Sequence, residues 1–125
     1  FMVAAVSDYV PAFPQDGKLK KELIGTHWNL ELKQNMDILK SLPKDGIVSI
    51  GFKAEMDEKK ALENAGKMLI AKNLDAVCLN VLKEQNSFGS SKNEIHFITN
   101  ASVQKFTLAG KFEIAEHIVE QCSHL

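Results

Sequence analysis

Three lysines within four residues, Lys18, Lys20 and Lys21, follow a segment that ends in Ser7-Asp8-Tyr9. Alternate positions on an extended chain point the same way, so Lys18 and Lys20 can converge on one polyphosphate, each acting as a mobile point charge. Solvated lysine runs are common, and this pattern alone is a weak signal. Its place just after an acid strengthens it. Asp8 follows the apolar run Met2 to Val6, which reads as a buried strand, and an acid at a strand end suits the hydroxyls of a ribose. A turn-forming aspartate is the equal alternative. Both features lie past the carboxyl end of a strand, where an open α/β sheet places its ligand, and so they point to a nucleotide site.

Other residues have two readings each. Phe52 ends the run from Ile47 and could lay its ring on a base, although core packing is the commoner fate of such a ring. Asn35 with Asp37 could present a helix start to phosphate, and simple capping explains both equally. Lys67 and Lys72 fall near a helix end, where the dipole favours cations anyway. His27, His96, His117 and His124 show no metal-ligand spacing and read as surface residues. The sequence contains no GxGxxG, no P-loop lysine motif and no GxSxG.

The elements that must position these residues follow from apolar periodicity. Met2–Val6, Ile47–Phe52 and Ala76–Val81 are nearly continuous apolar runs, the pattern of strands buried on both faces of a parallel sheet. Met56 to Lys72 sets Ala61, Leu62, Ala65, Met68 and Leu69 on one helical stripe, with Asp57 and Glu58 at its positive end. This strand–helix–strand succession is a βαβ unit. Asn35 as N-cap and Pro43 as stop bracket a shorter helix, and Leu30-Glu31-Leu32 alternates as a short strand would. Residues 86–93 form a polar loop. Glu94–Ile98 and Val103–Leu108 read as antiparallel strands about a turn at Asn100, and Lys111–Cys122 as a helix turning Ile114, Ala115, Ile118, Val119 and Cys122 inward. The expected fold is α/β, a Rossmann-like and mostly parallel sheet with an antiparallel strand pair.

A chain of 125 residues makes one domain, and 45% hydrophobic with 25% charged residues is ordinary globular composition. A net charge of −1 removes any global pull toward nucleic acid or an anionic membrane. No apolar run approaches the roughly 20 residues of a membrane span, and no basic leader region precedes the first strand. A cytoplasmic setting is expected. Cys78 and Cys122 are too few and too far apart for a disulfide framework and read as reduced, buried thiols. A sheet that starts at residue 2 suggests an incomplete fragment of a larger domain.

The segments Ala4-Ala5-Val6-Ser7-Asp8-Tyr9, Lys18-Leu19-Lys20-Lys21, Asn35-Met36-Asp37-Ile38-Leu39, Gly51-Phe52-Lys53-Ala54-Glu55, Lys72-Asn73-Leu74-Asp75 and Phe88-Gly89-Ser90 occur in this order. With that order and spacing the chain resembles phosphopantothenoylcysteine synthetase, the phosphopantothenate–cysteine ligase family. In bacteria this is the C-terminal part of a bifunctional coenzyme A biosynthesis protein of the DNA/pantothenate metabolism flavoproteins.

The resemblance implies that residues 1–125 are the C-terminal part of a synthetase domain. The carboxylate of 4′-phosphopantothenate would attack CTP to give an acyl-cytidylate, and the amine of cysteine would then displace CMP. Mg²⁺ would assist, while FMN would belong only to a decarboxylase domain absent from this chain. By position, the segment Met2 to Tyr9 would hold the nucleotide, with Met2, Val3 and Ala4 in contact, backbone groups reading cytosine and Asp8 on the ribose. Met36, Asp37, Ile38 and Leu39 would flank it at a helix start, Phe52 would pack on the base, and Lys72 would meet the phosphates. Ala5 and Lys20 would face the acyl substrate, and Lys18, the catalytic lysine, would contact nucleotide and acyl phosphate and aid the second step.

There are three departures. The family usually has proline where Met36 stands, and a lysine where Met68 stands; whether Lys67, one position off, takes that lysine's part stays open. The family's glycine-rich nucleotide loop and an asparagine used on the acyl intermediate fall upstream of Phe1. The N-terminal half of the synthetase domain is therefore an expected partner, and the chain alone is expected to be inactive. The family also implies a homodimer. The ATP-using version of the same ligase is an alternative, as is a non-catalytic half-domain that dimerises through the edge at residues 94–108.

Overall fold

Ala76–Val81 is apolar at almost every position because both of its faces are covered. Val77, Leu79 and Val81 pack with Ala61, Ala65 and Leu69 on one side, while Ala76 and Cys78 pack with Ile50, Ile95, Phe97, Ile114 and Ile118 on the other. Successive strand side chains point to opposite faces, so a strand buried twice has no polar register left.

The computed structural model describes residues 1–83 and 89–125. In chain order these form β1 (Tyr9–Pro11), α1 (Lys21–Ile24), β2 (Leu32–Gln34), α2 (Ile38–Ser41), β3 (Ile50–Glu55), α3 (Glu58–Ala71), β4 (Ala76–Val81), β5 (Lys92–Ile98), β6 (Val103–Gly110) and α4 (Lys111–Cys122). One sheet has the order β3-β4-β5-β6; β1 and β2 make a separate two-stranded ribbon. β3 and β4 run parallel through the crossover helix α3, as the βαβ pattern predicts, and β4-β5-β6 are antiparallel. The fold is an α/β, Rossmann-like arrangement with an antiparallel extension. β4 and α4 have the bounds read from the sequence. Of the loop expected at residues 86–93, residues 86–88, with Phe88 of its motif, lie outside the described residues.

Several elements differ from expectation for identifiable reasons. Met2 donates its N–H to the Ile50 carbonyl at 2.9 Å and forms one parallel bridge with Gly51, after which residues 3–6 stand exposed rather than buried. Neither long helix lies over this segment: α3 packs on β3 and β4, and α4 on β5 and β6. β3 starts at Ile50, not Ile47, because the Asp75 carboxylate takes the N–H and the hydroxyl of Ser49 at 2.6 and 3.0 Å and begins the pairing there. Ile47 and Val48, ahead of that staple, are exposed. The helix placed at Asn35 starts later, with Asp37 as its N-cap. Leu62, placed on the buried stripe of α3, is half exposed, as is Val119 on α4, and Ala115 is exposed too; Ile114 and Ile118 are buried against the sheet and Cys122 packs beside them as expected.

His96 is the histidine that is not a surface residue. It sits on β5 between Leu79 of β4 and Lys105 of β6, and its Nδ1 is buried without a hydrogen-bond partner among the described residues. Burial, and next the Lys105 ammonium, push its pKa below the ordinary value, against the pull of Glu94 and Glu58. Unfolding then takes up a proton as the pH falls below about 6.5. The stability owed to neutral His96 is full above that pH and is lost as the pH falls toward the lowered native value. His96→Gln is expected to flatten the acid-side decline of the thermal midpoint relative to wild type. Parallel midpoint curves for the two proteins between about pH 5 and 7 would rule this out.

Candidate functional site

The end of α3 shows how the sequence aims a cation. Asn73 adopts a left-handed φ of 49°, a conformation that asparagine tolerates better than most residues. This lets the Leu74 N–H reach back to the Leu69 carbonyl at 2.9 Å and the Asn73 N–H to that of Ile70 at 3.1 Å. The paired bonds are a Schellman stop, sealed by Leu69 and Leu74 in one apolar cluster. Lys72, the C-cap, leaves the helix at this turn, and its Nζ lies 3.0 Å from Asp37 Oδ2.

Asp37 has two tasks. Its Oδ1 accepts the Lys40 N–H at 3.0 Å, capping α2, while Oδ2 meets Lys72. The backbone hydrogen bond from Lys40 is the larger cause, and the one from Lys72 the next, of a carboxyl held below its ordinary pKa. Both walls approach β3 closely. A Cβ on Gly51 would lie 2.8 Å from Leu74 Cδ1 and from Met68 Cε, and 3.2 Å from Leu39 Cδ2, so glycine lets α2 and α3 close on the strand.

The opposite wall comes from the base of the ribbon. Residues 7–9 lead out into β1 and residues 34–36 return from β2, with Tyr9 facing Gln34 in the register. The Asn35 N–H donates to the Asp8 carbonyl at 2.7 Å.

These walls enclose a cavity of about 320 Å³. Met2, Ala4, Asp8, Met36, Asp37, Ile38, Leu39, Phe52 and Lys72, all nucleotide-site candidates from the sequence, line it together. Phe52 also borders a larger apolar groove of about 510 Å³ on the α4 side, and Val3 and Ala5 line that groove rather than the smaller cavity. Lys18 and Lys20 lie elsewhere, in a cavity within the ribbon's own loop beside Asp16 and Trp28. Lys67 does not line the cavity; it is exposed and paired with Glu63 one turn back. Met68 stands at the cavity wall instead.

Sequence reasoning did not name Gln34 or Met68 as lining residues, took Val6, Ser7 and Tyr9 only as parts of the segment Met2 to Tyr9, and weighed Asn35 as a cap or as part of a helix start turned toward phosphate. The signal for Ser7, Tyr9, Gln34 and Asn35 was their place at the two feet of one excursion, which becomes visible only when β1 and β2 are paired. Among the described residues no group of three His, Cys, Asp or Glu side chains converges as a metal site. Cys78 is a buried thiol with its pKa pushed up to about 12 by burial, and secondarily by Cys122, so it is inert as a nucleophile.

Known proteins share this sequence and arrangement. Residues 1–125 match the model of the DNA/pantothenate metabolism flavoprotein C-terminal domain. The coenzyme A biosynthesis bifunctional protein CoaBC of Bacillus subtilis (strain 168) is 32% identical over 126 residues, covering 98% of this chain and 30% of that protein. A cysteine/cysteine sulfinic acid decarboxylase from an unknown prokaryotic organism is 32% identical over 128 residues, covering 96% of this chain and 34% of that protein. The chain thus spans about a third of the length of these curated relatives. The crystal structure of the C-terminal domain of CoaBC superposes with a TM-score of 0.66 at 29% identity, covering 94% of this chain and 49% of that one. The DNA/pantothenate metabolism flavoprotein of Streptococcus pneumoniae superposes with a TM-score of 0.70 at 27% identity, covering 96% of this chain and 57% of that one. The chain therefore belongs to the DNA/pantothenate metabolism flavoprotein family, matching the C-terminal domain found in the bifunctional coenzyme A biosynthesis proteins.

Proposed function

We propose that this chain is the C-terminal part of a ligase that joins 4′-phosphopantothenate to cysteine with CTP. The observation that carries the reading is the convergence of Asp8, Asp37, Phe52 and Lys72 on one cavity from four separate parts of the chain. A carboxylate for ribose hydroxyls, a ring for a base and a lysine for phosphate are the groups a nucleotide needs.

In the first step a carboxylate oxygen of 4′-phosphopantothenate bonds to the α-phosphorus of CTP, and pyrophosphate leaves. In the second step the cysteine nitrogen bonds to the acyl carbon, CMP leaves, and the nitrogen loses a proton. Both steps bring anions together or expel them, so their barriers fall with fixed positive charge. Lys72 supplies that charge at the cavity, and Lys18 and Lys20 would supply it when the ribbon closes. Asp37 is spent on Lys72 and Lys40. A Mg²⁺ would accordingly arrive on the triphosphate rather than in a protein cage, neutralising phosphate charge.

The length covered in the solved relatives supports a partner half. The apolar groove beside Met2 and α4, with exposed Phe1, Val3 and Val119 at its rim, suits an apolar segment of that half. β6 pairs only with β5 among the described strands, which leaves an edge available for a homodimer. No described helix is long and apolar enough to cross a membrane, and a cytoplasmic setting accords with two free thiols.

Calorimetric titration of the complete ligase with CTP, 2′-deoxy-CTP and ATP, each with Mg²⁺, tests the reading. CTP is expected to bind best, and loss of the 2′-hydroxyl to weaken binding about tenfold, the size of one charge-assisted hydrogen bond. Asp8→Ala should erase the difference between CTP and 2′-deoxy-CTP. Preference for ATP would favour the other nucleotide form of the ligase. Absence of any nucleotide binding would leave the dimerisation reading.

A further inference from the structure

One side chain stands where both cavity walls meet. Asn35 follows β2 and precedes the cap of α2. Its N–H donates to the Asp8 carbonyl at 2.7 Å, its Nδ2 donates to the Ser7 carbonyl at 3.0 Å, and its Oδ1 accepts the Met36 N–H at 2.9 Å. The first two bonds cross from the returning foot of the ribbon to the outgoing foot. The third holds the start of the segment that carries Asp37.

The ribbon above this point is a sheet of its own, with pairing from Tyr9↔Gln34 to Pro11↔Leu32. Ser7 stiffens the outgoing foot by donating its hydroxyl to the Tyr9 carbonyl at 2.6 Å. No other described side chain bonds both across the feet and onward to the α2 side. Asparagine suits the position because one planar amide carries both a donor and an acceptor, whereas aspartate offers acceptors alone.

We propose that Asn35 is a positioning residue. It clasps the flap formed by residues 9–34 at its base and so sets the spacing between the Asp8 wall and the Asp37 wall of the nucleotide cavity. The ligand in this proposal rests on the nucleotide reading above; the clasp itself does not. Side chains at the foot of a closing segment govern how well a site is assembled without touching the reacting atoms.

Trp28, the single tryptophan of these 125 residues, lies within the flap and reports its motion once any tryptophan elsewhere in the complete ligase is replaced by phenylalanine. The test compares wild type with Asn35→Ala and Asn35→Asp in the complete ligase. Aspartate keeps an acceptor for the Met36 N–H and loses the donor to Ser7; alanine loses both. In both variants Trp28 anisotropy is expected to fall and trypsin to cut sooner after Lys18 or Lys20. The Kd for CTP with Mg²⁺ should rise about tenfold, the effect of one lost hydrogen bond, with the thermal midpoint nearly unchanged. Wild-type behaviour in Asn35→Asp alongside loss in Asn35→Ala would assign the effect to the Met36 bond and overturn the clasp. Unchanged anisotropy and proteolysis in both variants would overturn it too. If wild type binds no nucleotide, the nucleotide reading falls, and anisotropy and proteolysis still decide the clasp.

Discussion

Replacing Lys72 with glutamine is expected to weaken binding of CTP with Mg²⁺ by about a hundredfold, the upper range for a hydrogen bond to a charged group. Lys72 is the only lysine among the described residues that lines the proposed nucleotide cavity, paired with Asp37 and sharing the lining with Asp8. Without it the cavity keeps two acids and no fixed cation, a field that opposes a polyphosphate. The folded state should hardly notice. The Lys72–Asp37 pair is partly exposed, and such pairs add at most about 1 kcal/mol. Asp37 would still cap α2 through the Lys40 N–H. A binding loss with an unchanged thermal midpoint therefore separates ligand contact from stability, and Lys72→Arg should recover part of the affinity by restoring charge. A loss below about threefold in Lys72→Gln would mean that the phosphates lie elsewhere.

Much of this site was legible in the sequence because its parts are local. The βαβ unit was visible because β4 is buried twice and α3 carries small residues, Ala61 and Ala65, where it meets the sheet. The nucleotide candidates that line one cavity came from four places in the chain, residues 2–8, residues 36–39, Phe52 and Lys72, while Val3, Lys18 and Lys67 lie away from it. What could not be read was set by neighbours. The apolar run at Met2–Val6 looks like a covered strand, yet only Met2 meets β3, and periodicity carries no information on whether a helix lies above. Asn35 and Asp37 are both good caps. The side-chain oxygen of Asn35 is taken by the Met36 N–H, so the cap falls to Asp37, whose Oδ1 accepts the Lys40 N–H. His96 looked like a surface residue because nothing in its own segment reveals flanking by Leu79 and Lys105.

Lys18→Gln in the complete ligase is expected to slow amide formation by about a hundredfold or more, the typical cost of losing one group that stabilises developing negative charge. Cytidylate formation should change much less. The division follows from where the flap holds this lysine. Lys18 and Lys20 line a cavity beside Trp28, apart from the one that holds Asp8, Phe52 and Lys72. With the flap so placed, the fixed charge that would lie next to a bound triphosphate in the proposed reaction is that of Lys72, which would serve the first step. The second step creates negative charge on the acyl carbon's oxygen and on the departing CMP, and closure of the ribbon would bring Lys18 onto both. Asp8 and Asn35 join the flap to the cavity rim, so the motion required is a swing about that base rather than a refolding. Rapid-quench measurement of pyrophosphate release and of CMP release resolves the two steps. Equal slowing of both would place Lys18 at the triphosphate from the start, and slowing of neither would remove it from the chemistry.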